Sequence, residues 1–555
     1  MTAPQWSVRE RASALEKAER EGVDLLIIGG GITGAGILRD AASRGLSALV
    51  VERGDFASGT SGRSTKLIHG GLRYIAQGQL GMTRESCRER DLLLRLNPHL
   101  VRPIPFLWPA FANSKTPLWQ VRAALFAYWG LASFRSSARS RMLGPEQVAE
   151  FSQDLRREGL RGAGLFYDGQ VDDARLVLET LVSARRFGGE AVNHAEVCEF
   201  LRGDEERIVG ARVRDRESGE SRSIRAAVVV NAAGPSVERV RGLDRPVTRP
   251  ELRPAKGVHL VIPRSRVHCE SAIVLEARDG RFLSLIPWDE VALIGTTDCF
   301  TDQIDEPVVS IEEVHYMLSA ANDAFPRLAL TTNDICSAYA GVRPLVADGD
   351  EESPSKSVSR EHKIYDDPSG LISVTGGKLT TYRTMAEGVV KRALDRLPEE
   401  RKAAAGPSLT GSLPLREGEF EVAELEADLE ARYGLEAHRI AHLVRTHGLD
   451  ADKLLREADP ELRRPIGDSR FTYAEIPWCL GTECAVTLCD LLEHRMRMAL
   501  FAIGQGLPEL DEITRVTAAA AGWDSERARE EASSYVSAVR TRYQIAPPPE
   551  VQYAA

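Results

Sequence analysis

Two hydrophobic patterns divide the chain. From Val23 onward, short aliphatic runs alternate with glycine-rich turns, and Leu25–Ile28 and Leu46–Val51 are typical of strands buried on both faces. Beyond a stretch rich in Pro, Gly and small residues at 397–419, which predicts a linker, the pattern becomes helical. The sequence therefore predicts an α/β part followed by an all-α C-terminal domain.

A glycine turn and a helical stretch lie between the two predicted strands. Gly29, Gly31 and Gly34 form G-x-G-x-x-G, which permits a tight turn, close approach to a pyrophosphate and close helix–strand packing. The helix N-terminus would hold the pyrophosphate, and Glu52 would accept a hydrogen bond from a ribose hydroxyl. This strand, turn, helix and strand predict a dinucleotide site, but they do not distinguish FAD from NAD. Arg53 lies beside Glu52, so a dinucleotide with a phosphorylated ribose stays an open alternative.

Composition narrows the classes of partner. The 555 residues carry a formal net charge of -10, which argues against a nucleic-acid partner. The eight cysteines include no CxxC spacing, which does not suit a disulfide framework, a zinc site or an iron–sulfur cluster. The charged N-terminus has no apolar signal region, so we expect a protein of the reducing cytoplasm.

One apolar stretch is rich in aromatic residues. Ala123–Phe134 is shorter than the roughly 20 residues of a membrane-spanning helix. It is flanked by Arg122, Arg135, Arg139 and Arg141. Two interpretations stay open, a buried helix with a basic end and an element that lies on a membrane surface.

The segment after the glycine turn carries a family resemblance. "GTSGRSTKLIHGGLRYI" following such a unit resembles the FAD-dependent, aerobic-type glycerol-3-phosphate dehydrogenases of the glycine- and amino-acid-oxidase superfamily. Later segments match in the same order along residues 22–390: "FYDGQVDDARLV", "VVNAAGP", "AKGVHLVIP", "LIPWDEVALIGTTD", "AGVRPL" and "GGKLTTYRTMAE".

The resemblance implies an α/β fold of three parts. A discontinuous Rossmann-like FAD-binding domain would comprise residues 20–100, 165–245 and 335–400. An α+β substrate-binding cap, as in amino-acid oxidases, would comprise 101–164 and 246–334, with "GVHLVIP" and "VALIGTT" in an antiparallel sheet. The helical C-terminal domain would span 410–546.

FAD is the cofactor that the resemblance implies. The glycine pairs Gly70-Gly71 and Gly376-Gly377 would let backbone lie flat against the flavin ring. Val197 would contact the adenine through its backbone. The residues expected to bind FAD are Gly29, Gly31, Gly34, Glu52, Thr60, Ser61, Lys66, Leu67, Gly70, Gly71, Val197, Ala232, Gly234, Gly377, Lys378, Leu379 and Thr380.

A basic and aromatic cluster would hold a small phosphorylated alcohol against the flavin. A phosphate monoester carries about -1.5 to -2 charge, which suits arginine forks and lysine point charges. Arg73 and Arg343 are expected to bind the phosphate. Lys256 and Lys378 would hold the substrate hydroxyl or stabilise charge on the reduced flavin. His69 would accept the hydroxyl proton, and Tyr74 would orient the substrate or close the site. Thr296, Thr297 and Asp298 are assigned no chemistry.

The implied reaction is the oxidation of sn-glycerol 3-phosphate to dihydroxyacetone phosphate, with hydride transfer from C2 to FAD N5. A membrane quinone would take the electrons, which implies a peripheral protein on the inner face of the cell membrane; a homodimer stays open. The alternatives are an oxidase that uses oxygen and a flavoprotein without this activity, such as a tRNA-modifying one. Glu483, Cys489 and His494 resemble a metal set, but ordinary polarity of a helix face explains them, so no metal is expected.

Overall fold

The computed structural model describes residues 5–75, 78–132, 139–247, 252–346, 362–416, 418 and 420–545. The strands are β1 Val23–Ile28, β2 Ala48–Val51, β3 Leu67–Ile68, β4 Arg102–Phe111, β5 Arg141–Leu143, β6 Leu160–Gln170, β7 Glu190–Val192, β8 Ala195–Arg202, β9 Ile208–Asp215, β10 Ser221–Asn231, β11 Ala255–Pro263, β12 Ala272–Glu276, β13 Phe282–Trp288, β14 Val291–Gly295, β15 Cys299–Phe300, β16 Ser337–Arg343, β17 Lys363–Asp366 and β18 Ile372–Thr375. The helices are α1 Val8–Glu21, α2 Ile32–Ser43, α3 Leu72–Ile75, α4 Leu80–Leu96, α5 Leu118–Leu131, α6 Pro145–Phe151, α7 Asp173–Arg186, α8 Val237–Arg241, α9 Ile311–Ala324, α10 Tyr382–Leu394, α11 Glu399–Ala404, α12 Val422–Tyr433, α13 Ala437–His447, α14 Asp450–Glu457, α15 Glu475–Thr482, α16 Met498–Phe501, α17 Leu510–Ala521 and α18 Ser525–Arg542, with a π-helix at Asp490–Arg495.

The first sheet contains the glycine turn. Its strands run in the order β17-β18-β10-β1-β2-β7, and β1 pairs in parallel with both β2 and β10. Leu25, Leu26 and Ile27 of β1 are fully buried because α2, α7 and α10 pack on one face of the sheet, while α1 and the β8–β9 hairpin cover the other. This confirms the predicted strand, turn, helix and strand, with the second strand beginning two residues later than expected.

The second sheet forms the cap. Its order is β15-β11-β14-β13-β12-β4-β6-β3, and β16 adds to it beside β11. The predicted antiparallel pairing is confirmed, since Leu260 of β11 lies opposite Ile294 of β14. Strands β3 and β16 and the last residues of β6 pair within this sheet, although the prediction assigned 20–100, 335–400 and 165–245 to the FAD-binding domain. The exact domain boundaries stay a prediction.

The C-terminal part is helical, as predicted, and docks through buried ion pairs. Arg495, the last residue of the π-helix, forms a two-pronged contact with Asp55, with nitrogen–oxygen distances of 2.6 and 2.9 Å. Arg416 holds Glu179 of α7 at 2.6 Å. Removing one partner of such a pair costs about 3–5 kcal/mol because the other charge stays buried. These pairs therefore fix the helical domain against the FAD-binding domain.

Among the described residues, no helix has both the length and the apolar character needed to cross a membrane.

Candidate functional site

A cavity of about 1080 Å³ runs between the two sheets and reaches the C-terminal helices. It begins at the glycine turn and ends beside β11 and β16 of the cap sheet. The expected site residues that line it are Gly29, Gly31, Glu52, Thr60, Ser61, Leu67, His69, Tyr74, Val197, Ala232, Gly234, Arg343, Gly377, Lys378, Leu379 and Thr380. The fold therefore brings together most of the residues that the sequence indicated, from five separate segments.

The glycine turn has the shape that a pyrophosphate requires. Gly29 has φ +112°, and a Cβ there would lie 2.6 Å from the carbonyl oxygen of Ala232. A Cβ on Gly34 would lie 1.9 Å from the Gly29 oxygen, so only glycine allows α2 to pack this close to β1. Gly31 caps α2 without a side-chain hydrogen bond; the Ile32 N–H donates to the Ser61 hydroxyl at 2.9 Å, and Thr33 of the first turn lines the cavity.

Glu52 is fixed at the end of β2. Its carboxylate accepts hydrogen bonds from the backbone N–H of Gly30 at 2.7 Å and of Gly54 at 2.9 Å. A carboxylate offers about four lone-pair sites, so two bonds leave capacity for a ribose hydroxyl. Val197 lines the cavity beside this end, where the adenosine part of a dinucleotide was expected.

The segment at Gly70 and Gly71 is held from below by a buried polar network. The Gly70 N–H donates to the Tyr128 hydroxyl at 2.8 Å and lies 3.2 Å from Asp168, and Arg90 donates to both groups. A Cβ on Gly70 would lie 2.4 Å from the Cys87 sulfur. The backbone here is therefore set by contacts that a larger residue would break.

His69 and Tyr74 enter the cavity from this segment. The Thr380 hydroxyl accepts from the His69 N–H at 3.1 Å, which joins the segment to the Gly377–Thr380 turn. The Lys378 ammonium lies 4.2 Å from the centre of the Tyr74 ring and donates to the Ser86 hydroxyl at 3.1 Å. An imidazole, a phenol and an ammonium thus share one end of the cavity.

Arg343 lies at the end of β16, across the cavity. Its Nη2 donates to the Thr296 hydroxyl at 2.9 Å, and its Nη1 is 3.4 Å from Asp298. A Cβ on Gly257 would lie 2.2 Å from Nη2, so this glycine makes the space that the guanidinium occupies. Thr296 and Asp298, which were assigned no chemistry, therefore orient Arg343.

His259 was missed in the sequence. It lines the same end of the cavity, its ring stacks on Tyr339 at 4.8 Å, and its Nε2 is 3.0 Å from the Thr65 hydroxyl. Burial lowers the pKa of His259 to about 3, and the cations of Arg343 and Lys66 act in the same direction, so the ring is neutral. The available signal was the period of two in β11, which places His259 on the same face as Gly257.

Two expected lysines do not present their side chains to the cavity. The Lys66 ammonium is fully buried against Asp173 at 2.7 Å, and burial lowers its pKa to about 8. Lys256 points to the opposite face of β11, where its ammonium lies 2.8 Å from Glu313. The structure thus places both ammonium groups in ion pairs away from the cavity, and their expected roles toward flavin and substrate stay predictions.

Three glycines and one arginine of the expected site do not line the cavity with described side chains. Gly34, Gly70 and Gly71 lie behind the cavity wall and act through the backbone shape, and Gly71 has φ +79° with the Tyr74 ring where a Cβ would be. Arg73 belongs to α3, and its side chain lies outside the described residues.

The residues that resembled a metal set have other partners. Glu483 contacts Arg175 at 2.7 Å and His447 at 3.5 Å, and His494 contacts Asp55 at 2.9 Å. Asp55, Asp490 and His494 do lie together, with ligand atoms within 4.8 Å of one another. Asp55 is already paired with Arg495, and Asp490 accepts from His194 and from two backbone N–H groups. This cluster is a charge-balanced contact between domains.

Family models match both parts of the chain. Residues 24–383 match "FAD dependent oxidoreductase", and residues 408–528 match "C-terminal domain of alpha-glycerophosphate oxidase". Together with the dinucleotide cavity between a Rossmann-like sheet and an antiparallel cap, this defines an FAD-dependent oxidoreductase.

Relatives of known name narrow the class. A glycerol-3-phosphate dehydrogenase of Mycobacterium leprae is 36% identical over 95% of this chain and 90% of its own. An aerobic glycerol-3-phosphate dehydrogenase of Staphylococcus haemolyticus is 35% identical over 90% and 91%. The crystal structure of the Bacillus halodurans glycerol-3-phosphate dehydrogenase with FAD is similar with a TM-score of 0.78 at 31% identity, covering 97% of this chain and 98% of that one. The chain belongs to the FAD-dependent glycerol-3-phosphate dehydrogenase family.

Proposed function

We propose that the protein oxidises sn-glycerol 3-phosphate to dihydroxyacetone phosphate and passes the electrons to a quinone. The observation that carries the proposal is that Arg343, His69, His259 and Lys378 line one cavity together with the Gly376-Gly377 turn. Two cations and two imidazoles suit a small phosphorylated alcohol. The names of the relatives support the same substrate.

Arg343 binds the phosphate in this proposal, and Arg73 is the second phosphate residue that the sequence indicates. Thr296 and Asp298 hold the Arg343 fork in one orientation, which a flexible lysine would not reproduce. The Lys378 ammonium stabilises negative charge that develops at the edge of the flavin ring in this proposal. Its contact with the Tyr74 ring limits the movement of the ammonium group.

His69 accepts the proton of the substrate hydroxyl, and neutral His259 orients that hydroxyl by a hydrogen bond. Bound FAD supplies the two-electron oxidising group that takes the hydride from C2. The protein contributes alignment of the C2 centre, a place for the proton and cations for the phosphate. Proton and hydride thus leave the same carbinol in two directions.

The substrate assignment is tested by comparing sn-glycerol 3-phosphate with glycerol in the wild type and in Arg343→Gln. Loss of charge-assisted hydrogen bonds worth about 1.5–3 kcal/mol should lower kcat/KM for the phosphate ester by roughly 10- to 150-fold. The weak rate with glycerol should not change. Arg278→Gln, at an exposed arginine paired with Asp323, is the control. Equal losses for both substrates would move the phosphate site elsewhere.

The quinone acceptor needs its own experiment because an oxidase would share the first half-reaction. Enzyme reduced by substrate is mixed with either a short-chain ubiquinone or oxygenated buffer. We expect rapid reoxidation by the quinone and slow reoxidation by oxygen. Faster reoxidation by oxygen would favour the oxidase alternative. The tRNA-modifying alternative predicts no reduction by the phosphate ester at all.

Helix α5 is the proposed contact with the membrane. Val121, Leu125 and Tyr128 are buried against the cap, whereas Trp119 and Phe126 on the outer face are 68% and 69% exposed. One face of α5 is thus buried, and its exposed aromatic outer face supports the proposed membrane contact. Phe134 and Arg135 lie outside the described residues.

Basic residues accompany this outer face. Arg122 is exposed on it, and the Arg139 guanidinium lies 5.1 Å from the centre of the Trp129 ring. Near an anionic membrane each contributes on the order of 1 kcal/mol. Tyr128 of the same helix holds the Gly70 N–H, so the proposed docking face lies one helix away from the flavin segment.

Docking is tested with vesicles of anionic lipid. The double variant Trp119→Ser with Phe126→Ser should lose vesicle binding and quinone reduction while keeping activity with a soluble dye. Arg122, Arg139 and Arg141 changed to Glu should act in the same way at low salt. Ile503→Ser, at an apolar residue that is 63% exposed in the helical domain, is the control. If α5 variants bind as the wild type does, the membrane contact lies elsewhere; a homodimer remains a prediction.

A further inference from the structure

A second, smaller cavity lies where the cap sheet meets the helical domain. Its volume is about 40 Å³, and it shares no lining residue with the cofactor cavity. The β13–β14 hairpin tip reaches it from the cap sheet, the end of β6 from beneath, and α13 and Arg470 from the helical domain. We refer to it as the junction cavity.

Positive charge is in excess around the hairpin tip. Asp289 accepts from Arg445 at 3.0 Å and from Arg470 at 2.6 Å, and Arg470 also lies 3.3 Å from Glu290. Arg102 lines the same cavity, but no carboxylate of the described residues lies within 4.0 Å of it. Its Nη2 has only a long contact of 3.4 Å to the Gln170 side-chain oxygen.

Hydrogen-bond donors are in excess at the same place. The Trp288 side chain lines the junction cavity and is 4% exposed, yet its indole N–H has no acceptor among the described residues. The Arg470 Nε is also buried without an acceptor in the described part of the chain. Buried donors are usually satisfied, and each one left unpaired calls for an explanation.

Burial weakens the charged form of Arg102. Together with the nearby cations of Arg445 and Arg470, it lowers the pKa of Arg102 to about 10, against the opposing effect of Asp289. The protein itself therefore supplies too few acceptors for the arginines gathered here.

We propose that the junction cavity binds a small inorganic oxyanion of the phosphate or sulfate class, held by Arg102, Trp288 and Arg470. At roughly 10–15 Å³ for each water-sized probe, the cavity has room for a few waters or one such anion and excludes a nucleotide. The anion accepts the hydrogen bonds from Arg102, Trp288 and Arg470 that Asp289 does not accept. It joins the cap sheet to the helical domain, so it stabilises their assembly.

The test measures thermal unfolding of the FAD-loaded enzyme in increasing phosphate at constant pH and ionic strength. The melting temperature of the wild type should rise with phosphate concentration and reach a plateau. Arg102→Gln should keep only the part of the gain that phosphate bound at Arg343 contributes, and without phosphate it should melt at the same temperature as the wild type or higher, because it removes a partly buried cation that has no carboxylate partner. Arg278→Gln should respond as the wild type does.

A second variant and a kinetic control separate this site from the catalytic cavity. Trp288→Phe replaces the indole, whose ring stacks on the Phe501 ring at 4.9 Å, by a smaller phenyl ring that has no N–H; we expect about tenfold more phosphate for half the effect. Phosphate can also compete with substrate at Arg343, so that inhibition should persist in Arg102→Gln. The proposal is overturned if phosphate stabilises Arg102→Gln as it does the wild type, or fails to stabilise the wild type. Should Arg102→Gln not fold, the comparison of Trp288→Phe with the wild type decides.

Discussion

A single methyl group at Gly257 should displace the phosphate-binding fork. In the structure a Cβ at this position would lie 2.2 Å from Arg343 Nη2 and 2.6 Å from the Thr296 hydroxyl, whereas ordinary contacts are 3.4–4 Å. In Gly257→Ala the guanidinium must therefore move by about 1 Å or more. The nearest atom is the end of a flexible side chain, so the backbone of β11 need not shift.

The expected cost falls on substrate binding. A fork displaced by this amount loses its two-pronged alignment with phosphate, which corresponds to about 1.5–3 kcal/mol or a 10- to 150-fold rise in KM. Melting temperature and FAD content should change little. Steady-state kinetics with sn-glycerol 3-phosphate, thermal unfolding and the flavin absorbance measure the three quantities.

Controls make this prediction specific. Gly481→Ala adds a methyl group where nothing lies within 4 Å, so it should leave KM unchanged. Adding Gly257→Ala to Arg343→Gln should raise KM little further, because the displaced group is already gone. Unchanged KM in Gly257→Ala, or full additivity in the double variant, would refute the assignment of Arg343 to the phosphate.

Further predictions concern lysines and histidines. Lys256→Met should lower the melting temperature by breaking the ion pair with Glu313 but leave kcat/KM within about threefold of the wild type. Lys378→Met should lower kcat/KM by a larger factor while the melting temperature stays similar. A larger loss of kcat/KM in Lys256→Met than in Lys378→Met would contradict the placement of both lysines. Burial lowers the pKa of His99 to about 4, so below pH 6.5 the unfolded chain binds a proton that the folded chain does not bind. Between pH 7 and pH 5 the free energy of unfolding, measured with denaturant, should therefore fall by about 2 kcal/mol less in His99→Gln than in the wild type. Equal falls in both proteins would contradict this. Burial lowers the pKa of His194, but the nearby Asp490 carboxylate outweighs this and raises that pKa to about 9. The pair therefore stabilises the fold fully below pH 6.5, and the stabilisation is lost as pH rises through 9. His194→Gln should destabilise the protein at pH 7 but not at pH 10, and an equal effect at both pH values would contradict the ion pair.

Local patterns predicted what depends on neighbours in sequence. The glycine turn, its two strands and its helix follow from residues within one short segment, and period-two runs such as 257–263 predicted the cap strands. The helical C-terminal domain follows from its 3.6-residue period. These features needed no knowledge of distant partners.

Directions of side chains depended on distant partners and were harder to predict. Lys66 and Lys256 lie in motifs that border the flavin site, yet their ammonium groups pair with Asp173 and Glu313. Asp173 is 107 residues from Lys66 in the chain, so no local pattern reveals the pair. His259 was missed because a histidine in an apolar strand is usually a core residue, and only the fold shows that its face of β11 borders the cavity.

Anaerobic titration of the FAD-loaded enzyme with sn-glycerol 3-phosphate tests the central claim most directly. The account predicts that the flavin absorbance near 450 nm bleaches on addition of the substrate, that one equivalent of dihydroxyacetone phosphate forms per flavin, and that a quinone restores the absorbance. Bleaching should be much slower with glycerol than with the phosphate ester, and it should be slower in Arg343→Gln than in the wild type. A flavin that stays oxidised at saturating sn-glycerol 3-phosphate would contradict the proposed function.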